Sequence, residues 1–388
     1  MTNPNLINNA AGVTFPWSIG VSGRADHASE AAMPAGLDLK YVDGLKWDRF
    51  AAGYDDVICE QTNCFIESRW GAGRSECVQV FKDGEVIGGA AVVLFRFAGP
   101  RLAILKWGPL WRETGARIDI TRLRMTLAAI KAEFVDRRGC YLSVMPQADP
   151  EFGEATVKIL RSLGFTKGSS CPFPDRYLVN TSISSDELMA KLDQKWRYNL
   201  RKSLKNNLKI EIVPMAEGYP EFIKLYHAML DRKQFQDSSA IHTLPDLIES
   251  RAEAHQPVFV IVRHEGKVTA GAVLDISGER AVYLYGATDS RALPLKAGYA
   301  MHWWIAEWLC DLPQIRWYDL AGSDGEKGLH QFKKSFVGKA GAVIATPPAY
   351  NCGRTIIDMF IGKSVFLARD IKSASSRTLH RIKLLIAA

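Results

Sequence analysis

Lysine side chains recur along one side of a helix that the sequence predicts at residues 185–205, in the middle of the chain. At 100° per residue, four lysines share an arc of about 80° with one tyrosine. They are Lys191, Lys195, Lys202 and Lys205, with Tyr198. Such a row of charges can bind the phosphate groups of a nucleotide-linked substrate or of tRNA. It can equally be the solvated face of a partly buried helix, and both interpretations stay open.

A second group of residues that could do chemistry lies between Tyr283 and Phe336. Alternating β-branched and aromatic residues predict a strand ending in Gly-Ala-Thr-Asp, and helical spacing predicts a helix that begins near Leu295, just after Pro294. A short buried strand, a glycine-rich loop and a closing helix follow. Parallel strands joined through a helix leave a crevice at their carboxyl ends, where ligands bind. We therefore expect the functional residues at that edge.

The first half of the chain repeats this order of elements about 175 residues earlier. Leu102 to Trp107 corresponds to Ala281 to Gly286, and Cys140 to Met145 corresponds to Ile315 to Leu320. Each half also contains a predicted hairpin, with turns at Asp83-Gly84 and Glu265-Gly266. The predicted fold class is α/β, with a mixed α+β sheet in each of two tandem domains. We place the domains at residues 37–180 and 181–349, between a mobile leader (1–36) and a basic amphipathic tail (350–388).

The composition supports two globular domains and an unusual tail. The chain has 388 residues, of which 47% are hydrophobic and 23% charged, as in ordinary folded proteins. Its formal charge is +7, and the residues from Tyr350 onward hold seven Lys/Arg and two Asp, or +5. A basic, partly apolar tail can lie on an anionic membrane surface. It can also pack as a helix on the second domain, and both alternatives stay open.

Cysteine usage and hydropathy predict the compartment. The seven cysteines are scattered and form no C-x-x-C pair, which indicates reduced thiols and no metal site. The longest apolar run, Val86 to Phe95, is shorter than a membrane-spanning helix requires. The first 35 residues show no secretory pattern. We expect a cytoplasmic protein, in contact with the inner face of the membrane if the tail binds lipid.

Five motifs of the second half together resemble the FemAB family. They are K-W-R-x-N-x-R-K-x-x-K-N from Lys195, FIKLYHAMLDRKQF from Phe222, Y-L-Y-G from Tyr283, W-Y-D-L-A-G from Trp317 and G-L-x-x-F-K-K-S-F from Gly328. The first half adds weaker support through WGAG and KWGPL. The resemblance covers roughly Leu37 to Ala345.

The resemblance implies two tandem acyltransferase domains of the GNAT superfamily. FemAB proteins are aminoacyltransferases that add amino acids to peptidoglycan precursors, so an activated acyl group would pass directly to an amine. The resemblance implies no tightly bound cofactor, and the acyl donor would be aminoacyl-tRNA or acyl-CoA. Some members insert a long helical hairpin in the second domain, for which the segment from Lys209 to Val258 has no room. That difference weakens the case for tRNA as the donor.

The resemblance also implies roles for individual residues. Lys333 and Phe332 match a family pair near the active cleft, where the lysine would face a substrate phosphate or the reacting carbonyl. Arg232 matches an arginine that binds the precursor's phosphates. Tyr285 could protonate the leaving group, and Asp319 could orient or deprotonate the amine. Structural alternatives are a surface charge for Lys333, a loop cap for Asp319 and a core aromatic for Tyr285.

The segment from Leu295 to Ala300 lies where GNAT acetyltransferases hold the coenzyme A pyrophosphate at a helix N-terminus. Lys296, Gly298 and Ala300 are the candidate cofactor-binding residues, although Leu295 replaces the usual polar residue. A purely structural role of this segment is the alternative.

Three functions follow from these features. The first is an N-acyltransferase that modifies a nucleotide- or lipid-linked cell-envelope precursor, of peptidoglycan or polysaccharide. The second is an acyl-CoA-dependent N-acetyltransferase acting on a small amine or sugar. The third is a non-catalytic module that binds RNA or lipid through the lysine row and the tail.

Overall fold

The computed structural model describes residues 32–96, 101–171, 173–233, 239–249, 255–355 and 358–359. Most of the predicted leader (1–36) and most of the predicted tail (350–388) lie outside the described residues. The described chain forms two seven-stranded mixed sheets, as the duplicated pattern predicts.

The first sheet has the order β1-β2-β3-β4-β5-β14-β6. Its strands are β1 (Leu37–Val42), β2 (Ser75–Lys82), β3 (Glu85–Arg96), β4 (Arg101–Lys106), β5 (Cys140–Met145), β6 (Thr166–Lys167) and β14 (Tyr350–Cys352). The helices are α1 (Gly44–Ala51), α2 (Asn63–Trp70), α3 (Ile120–Lys131), continued by a π-helical turn at Ala132–Arg137, and α4 (Gly153–Ser162). Strands β4 and β5 are parallel.

The second sheet has the order β13-β7-β12-β11-β10-β9-β8. Its strands are β7 (Asp175–Asn180), β8 (Lys209–Val213), β9 (Val258–His264), β10 (Lys267–Ser277), β11 (Arg280–Thr288), β12 (Trp317–Asp319) and β13 (Ala342–Ala345). The helices are α5 (Ser185–Lys191), α6 (Gln194–Ser203), α7 (Met215–Lys233), α8 (Leu244–Glu249), α9 (Ala292–Leu295), α10 (Ala297–Cys310) and α11 (Lys327–Val337). Here β11 and β12 are the parallel pair.

Both predicted hairpins are confirmed. Asp83 and Gly84 have φ of 50° and 93°, and Glu265 and Gly266 have φ of 50° and 73°. Two positive φ angles in succession give a turn whose twist matches that of the flanking strands. Turn chemistry of this kind is local, which is why the sequence reveals it.

The predicted domain limits are wrong for two strands. Strand β7, predicted as the end of the first domain, pairs with β12 and β13 in the second sheet. Strand β14, predicted as the start of the tail, pairs with β5 and β6 in the first sheet. An apolar run shows that a strand is buried but does not show which of two adjacent sheets buries it.

The predicted single helix at residues 185–205 is also wrong, because it is divided into α5 and α6. Leu192 has an extended conformation with ψ of 153°, and Asp193 then caps α6 by accepting a hydrogen bond from the Lys195 N–H at 2.9 Å. The Leu192 side chain is buried, which fixes the break. Of the lysine row, Lys195, Lys202 and Lys205 are exposed on and just after α6, whereas Lys191 belongs to α5.

Replacing Asp193 with alanine is expected to lower the free energy of unfolding by about 1 kcal/mol, because α6 loses its N-cap. Urea denaturation measures the effect. Asp186→Ala is the matched control, since Asp186 lies in the first turn of α5 but Ser184 caps that helix. Equal stability of Asp193→Ala and the parent chain would contradict the capping role.

A buried chain of polar groups joins the two domains. Asp275 Oδ2 accepts a hydrogen bond from the Cys59 N–H at 3.1 Å, and the Ser277 hydroxyl lies 2.9 Å from Asp275 Oδ1 and 3.2 Å from His255 Nδ1. His255 Nε2 lies 2.9 Å from the Asp48 carbonyl, which can only accept, so Nε2 carries a proton. Burial lowers the pKa of His255. The Ser277 hydroxyl donates to Asp275 Oδ1 and so links that carboxyl group to the His255 imidazole.

Burial raises the pKa of Asp275 to about 7, with Glu60 adding to the shift. The folded chain therefore holds a proton that the unfolded chain has released above about pH 4. We expect this contribution to stability to be complete below pH 4 and to be lost as the pH rises to 7.

Asp275→Asn is expected to make the urea midpoint less dependent on pH between 4 and 7. Asp56, whose pKa burial also raises to about 7, accounts for part of the remaining slope. Asp38→Asn, at an exposed position of β1, is the control. An unchanged slope in Asp275→Asn would show that this carboxyl is ionised throughout.

Candidate active site

The parallel strands of the second sheet separate at their carboxyl ends. Pairing between β11 and β12 covers only Arg280 with Trp317, Ala281 with Tyr318 and Val282 with Asp319. Strand β11 continues to Thr288, paired with β10 on its other side. Among the described strands, none pairs with the free edge of β11 after Val282. This opening leaves backbone N–H groups able to bind a carbonyl oxygen.

The first domain lacks such an opening in its described part. Strands β4 and β5 pair continuously from Arg101 with Cys140 to Lys106 with Met145. The Trp107 N–H then donates to the Met145 carbonyl at 2.7 Å, which extends the pairing by one more residue. The second domain is therefore where we place the site.

A β-bulge in β10–β11 decides which tyrosine faces the opening. Tyr283 pairs with Leu274 and Tyr285 with Val273, so Leu284 is an extra residue in β11. Tyr283 consequently packs in the core formed by α10 and α11, and Tyr285 in the core beneath α7. Tyr285 is buried, and burial raises its pKa. The predicted placement of Tyr285 in one cleft with Lys333 is wrong, because the extra residue reverses the alternation of the strand.

Tyr283 is the tyrosine that sequence reasoning missed. Its ring lies 4.9 Å from the His302 ring, and the Lys333 ammonium lies 6.0 Å from the Tyr283 ring centre. A Cβ atom at Gly286 would lie 1.4 Å from the Tyr283 hydroxyl, so any larger residue there would displace the Tyr283 ring. The Tyr-x-Tyr-Gly spacing alone does not show which tyrosine faces α10, because that depends on the bulge.

Lys333 is buried, with 4% of its surface exposed, and is not the surface charge that was the alternative. Its ammonium donates to the Leu320 carbonyl at 2.6 Å and to the Gly322 carbonyl at 2.5 Å. Burial lowers the pKa of Lys333 to about 8. The side chain thus fixes the loop after β12, and its direct catalytic role stays a prediction.

Asp319 holds the same loop from the other end. Its Oδ1 accepts from the Ala321 N–H at 2.9 Å, and its Oδ2 accepts from Arg176 Nη2 at 2.6 Å. Asp319 has 1% of its surface exposed. Ala321 has a φ of 59°, a strained conformation that these contacts stabilise. The structure therefore places Asp319 as a loop cap beside the opening, and its role as a base stays a prediction.

His302 of α10 is buried beside Tyr283. Burial lowers its pKa to about 3, so the ring is neutral, and Nδ1 lies 2.8 Å from the Tyr318 hydroxyl. Phe332 packs against this ring, with the centroids 5.5 Å apart. Phe332 is only partly exposed, and it also contacts Tyr299, so it belongs to the packing of α10 and α11. No sequence pattern reveals these contacts, because they join separate elements.

The predicted substrate arginine, Arg232, lies near the opening. It is exposed at the end of α7, and its Nη2 donates to the Thr288 carbonyl at 2.8 Å. Thr288 is the last residue of β11, so Arg232 stands at the carboxyl end of the strand that borders the opening. This position is compatible with contact between Arg232 and a substrate.

The predicted cofactor segment forms the N-terminus of α10. Lys296 has a left-handed φ of 51°, and α10 begins at Ala297. A Cβ atom at Gly298 would meet nothing within 4 Å, so the space beside Gly298 is open. The side chain of Ala300 is buried, so Ala300 is a packing residue in this segment. The first-turn N–H groups of a helix lack helical partners and suit an anion.

Two small recesses share Trp107 and Gln147, one within the first domain and the other between the domains. One, about 370 Å³ with the solvent at its mouth, is bordered by residues of the first domain that include Trp111, Phe152 and Asp149. The other, about 240 Å³ on the same measure, reaches the opening at Val282. Its lining also includes Ile58, Ala148, Arg176, Arg280 and Asp319. A substrate bound along both recesses would end beside Val282, the last residue of β11 that pairs with β12.

Family comparison identifies the second domain. Residues 191–334 match the model of a GNAT acetyltransferase domain. This segment contains the β11–β12 pair with α10, and the first domain repeats the parallel pair as β4–β5. The fold is a pair of GNAT-type domains. Within the described residues no helix has the length and apolar character needed to cross a membrane, and no group of His, Cys, Asp or Glu could hold a metal ion.

Solved structures share this tandem GNAT fold. FemX aligns with a TM-score of 0.65 at 15% identity, over 81% of this chain and 96% of FemX. The C-terminal DUF2156 domain of a protein assigned as a lysylphosphatidylglycerol synthetase, from Agrobacterium fabrum, aligns with a TM-score of 0.53 at 13% identity, over 84% of this chain and 98% of that domain. No curated protein matches in sequence. The predicted resemblance to the FemAB family within the GNAT superfamily is confirmed at the level of the fold.

Proposed function

We propose that this protein is an N-acyltransferase that transfers an acyl or aminoacyl group directly to an amine at the opening between β11 and β12. The observation that carries the proposal is the three-residue pairing of these strands, inside the segment that matches a GNAT acetyltransferase domain. The free edge of β11 after Val282 would hold the carbonyl oxygen of the acyl group.

Aminolysis of an ester or thioester needs a neutral amine, a polarised carbonyl and a proton for the leaving group. Backbone N–H donors supply the polarisation, so no covalent nucleophile is required. Lys333 and Asp319 fix the loop from Leu320 that borders the opening. Tyr283, rather than Tyr285, has its hydroxyl beside Gly286 on this strand and is the better candidate to protonate a leaving group.

The donor would bind through its phosphates at the N-terminus of α10. Ser203 of α6 donates to the Lys296 carbonyl at 2.8 Å, so α6 lies against this end of α10. The Lys202 ammonium lies 4.6 Å from the centre of the Tyr198 ring. Lys202, with a smaller contribution from Lys296, lowers the pKa of the Tyr198 hydroxyl. The helix end therefore carries the charge of Lys296 and lies against α6, which bears Lys202. Either the pyrophosphate of an acyl-CoA or the 3′ end of an aminoacyl-tRNA suits this arrangement.

The acceptor would enter through the two recesses that meet at Trp107 and Gln147. The likeness of the motifs to FemAB proteins supports an amine of a nucleotide- or lipid-linked cell-envelope precursor, with Arg232 at its phosphates. Contact of the tail with a membrane stays a prediction, since residues 360–388 lie outside the described part of the chain. The second candidate function, acetyl-CoA-dependent acetylation of a small amine or sugar, is favoured by the open space beside Gly298 and the small recesses.

Thermal shift with acetyl-CoA, and then with a UDP-linked muropeptide, tests the proposal first. A ligand present at 100 times its Kd stabilises the folded state by about 2.7 kcal/mol, which such an assay detects. The acyl-transfer product is then sought by mass spectrometry with the ligand that binds. Absence of a shift with both compounds would contradict both enzyme functions, and binding of tRNA alone, steeply dependent on salt, would favour the RNA-binding module.

A charge reversal at the donor site provides the matched variant. Lys202→Glu with Lys296→Glu is expected to weaken binding of the phosphate-bearing donor at least about tenfold, because two attractive charges become repulsive. Lys158→Glu, exposed on α4 of the first domain, is the control. If the double variant bound acetyl-CoA as tightly as the parent, the donor would not bind at this helix end.

A further inference from the structure

Four arginines lie at the junction of the domains, and three of them have a carboxylate partner of their own. Arg112 pairs with Glu279, Arg176 with Asp319 and Arg316 with Glu151. The fourth, Arg280, has its nearest carboxylate oxygens at 3.5 Å on Asp149 and 3.8 Å on Asp319, and both acids also contact another arginine. Arg280 is therefore the arginine of this group that lacks a dedicated counter-ion.

Two hydrogen-bond donors of Arg280 are also unused. Its Nη1 donates to the Ala148 carbonyl at 2.9 Å, whereas Nε and Nη2 are buried without a hydrogen-bond partner. These two atoms form one edge of the planar guanidinium, and that edge can donate to both oxygens of a carboxylate. Arg280 has 4% of its surface exposed, and a buried polar group without a partner is rare enough to need an explanation.

Arg280 lies at the place where the proposed reaction would occur. It is the first residue of β11, two positions before the last pair that precedes the opening, and it lines the smaller recess. The facing wall of that recess belongs to the first domain and includes Trp107. Trp107 has a φ of 57°, which is strained for a large residue, and its ring lies 4.8 Å from the Arg176 guanidinium.

We propose that the Nε and Nη2 edge of Arg280 binds a carboxylate group of the acyl acceptor. The acceptor is then an amine that also carries a carboxylate, such as an amino acid or the end of a peptide. The proposed binding of a carboxylate is argued from Arg280 alone. That this carboxylate belongs to the acyl acceptor rests on the proposed function.

The size of the recess supports a small planar group. With the solvent at its mouth it measures about 240 Å³, and only a small part of that space is enclosed by the protein. It would therefore hold the charged end of a ligand, while the rest extends into the adjoining recess past Trp107 and Gln147. Rotation of the first-domain side chains that face Arg280 decides how far the ligand enters.

Arginine side-chain NMR on the full chain tests carboxylate binding without any acyl transfer. The Nε–H signal of Arg280, assigned by its loss in Arg280→Lys and in Arg280→Gln, is followed during titration with sodium acetate. Sodium chloride at equal ionic strength and sodium phosphate are run beside it. We expect a saturable shift with acetate and none with chloride. No shift, an equal shift with chloride, or tighter binding of phosphate would overturn the proposal.

A matched pair of variants gives a second readout. Acetate is expected to raise the Tm of the parent chain and of Arg316→Lys, whose arginine has its own carboxylate partner. In Arg280→Lys the apparent Kd for acetate is expected to rise at least about tenfold, because lysine keeps the charge but not the two-donor edge. Equal stabilisation of Arg280→Lys and the parent would overturn the proposal. Acetate binding without any acyl transfer would instead contradict the proposed function and leave this site intact.

Discussion

Glu279→Ala is expected to lower the free energy of unfolding by about 3–5 kcal/mol, because it leaves the buried charge of Arg112 without its partner. Arg112 Nη2 and Nη1 donate to the two Glu279 oxygens at 2.7 and 2.9 Å, across the junction of the domains. Only 3% of the Arg112 side chain and 6% of the Glu279 side chain are exposed. Water therefore cannot replace the lost carboxylate.

Urea denaturation of the purified variant measures this loss. Glu113→Ala is the matched control, since Glu113 pairs with Arg122 at positions that are 52% and 28% exposed. An exposed pair of this kind contributes about 0–1 kcal/mol. Replacing Arg112 and Glu279 together with leucine is expected to recover much of the loss, because an apolar pair needs no charge partner. A loss below 1 kcal/mol in Glu279→Ala would show that the junction is wetter than the structure indicates.

Lys333→Ala is expected to reduce acyl transfer by about 100-fold, since a displacement of about 1 Å in a catalytic loop has an effect of that size. The Leu320 and Gly322 carbonyls lose their common donor, and the loop beside the opening loses one of its two anchors. The same change leaves buried carbonyls unpaired, each at a cost of about 1–3 kcal/mol in stability. Both activity and stability should therefore fall.

Lys334→Ala is the control, because Lys334 is the neighbouring residue on α11 and its side chain is exposed. We expect that variant to keep the activity and stability of the parent. Circular dichroism of Lys333→Ala establishes that it is folded under the assay conditions. A folded and fully active Lys333→Ala would remove Lys333 from the site altogether, whether as a loop anchor or as a contact to substrate.

Local sequence patterns were sufficient to predict much of the fold. The Asp83-Gly84 and Glu265-Gly266 turns depend on the φ angles of two adjacent residues, and the sequence shows such residues directly. Strand β5 runs from Cys140 to Met145, as the apolar run predicts. The parallel pairs β4–β5 and β11–β12 follow from the duplication.

Features that depend on contacts between distant segments could not be predicted in this way. The extra residue at Leu284 is visible only once β10 and β11 are paired, and it removes Tyr285 from the site. The break at Leu192 follows from burial of that side chain and the cap at Asp193. Asp319 and Lys333 were predicted at one edge of the sheet, and they do meet at one loop, but their partners there are backbone groups and Arg176.

The positions of β7 and β14 make the two domains inseparable. Strand β7 lies between β12 and β13, and β14 lies between β5 and β6, so each sheet has an interior strand from beyond its own half of the sequence. A fragment that ends at Asn180 would lack β14 and expose the adjoining edges of β5 and β6. The complementary fragment would lack β7, with the same result for β12 and β13. We therefore expect the duplicated chain to unfold as one cooperative unit, because neither half contains all the interior strands of its own sheet.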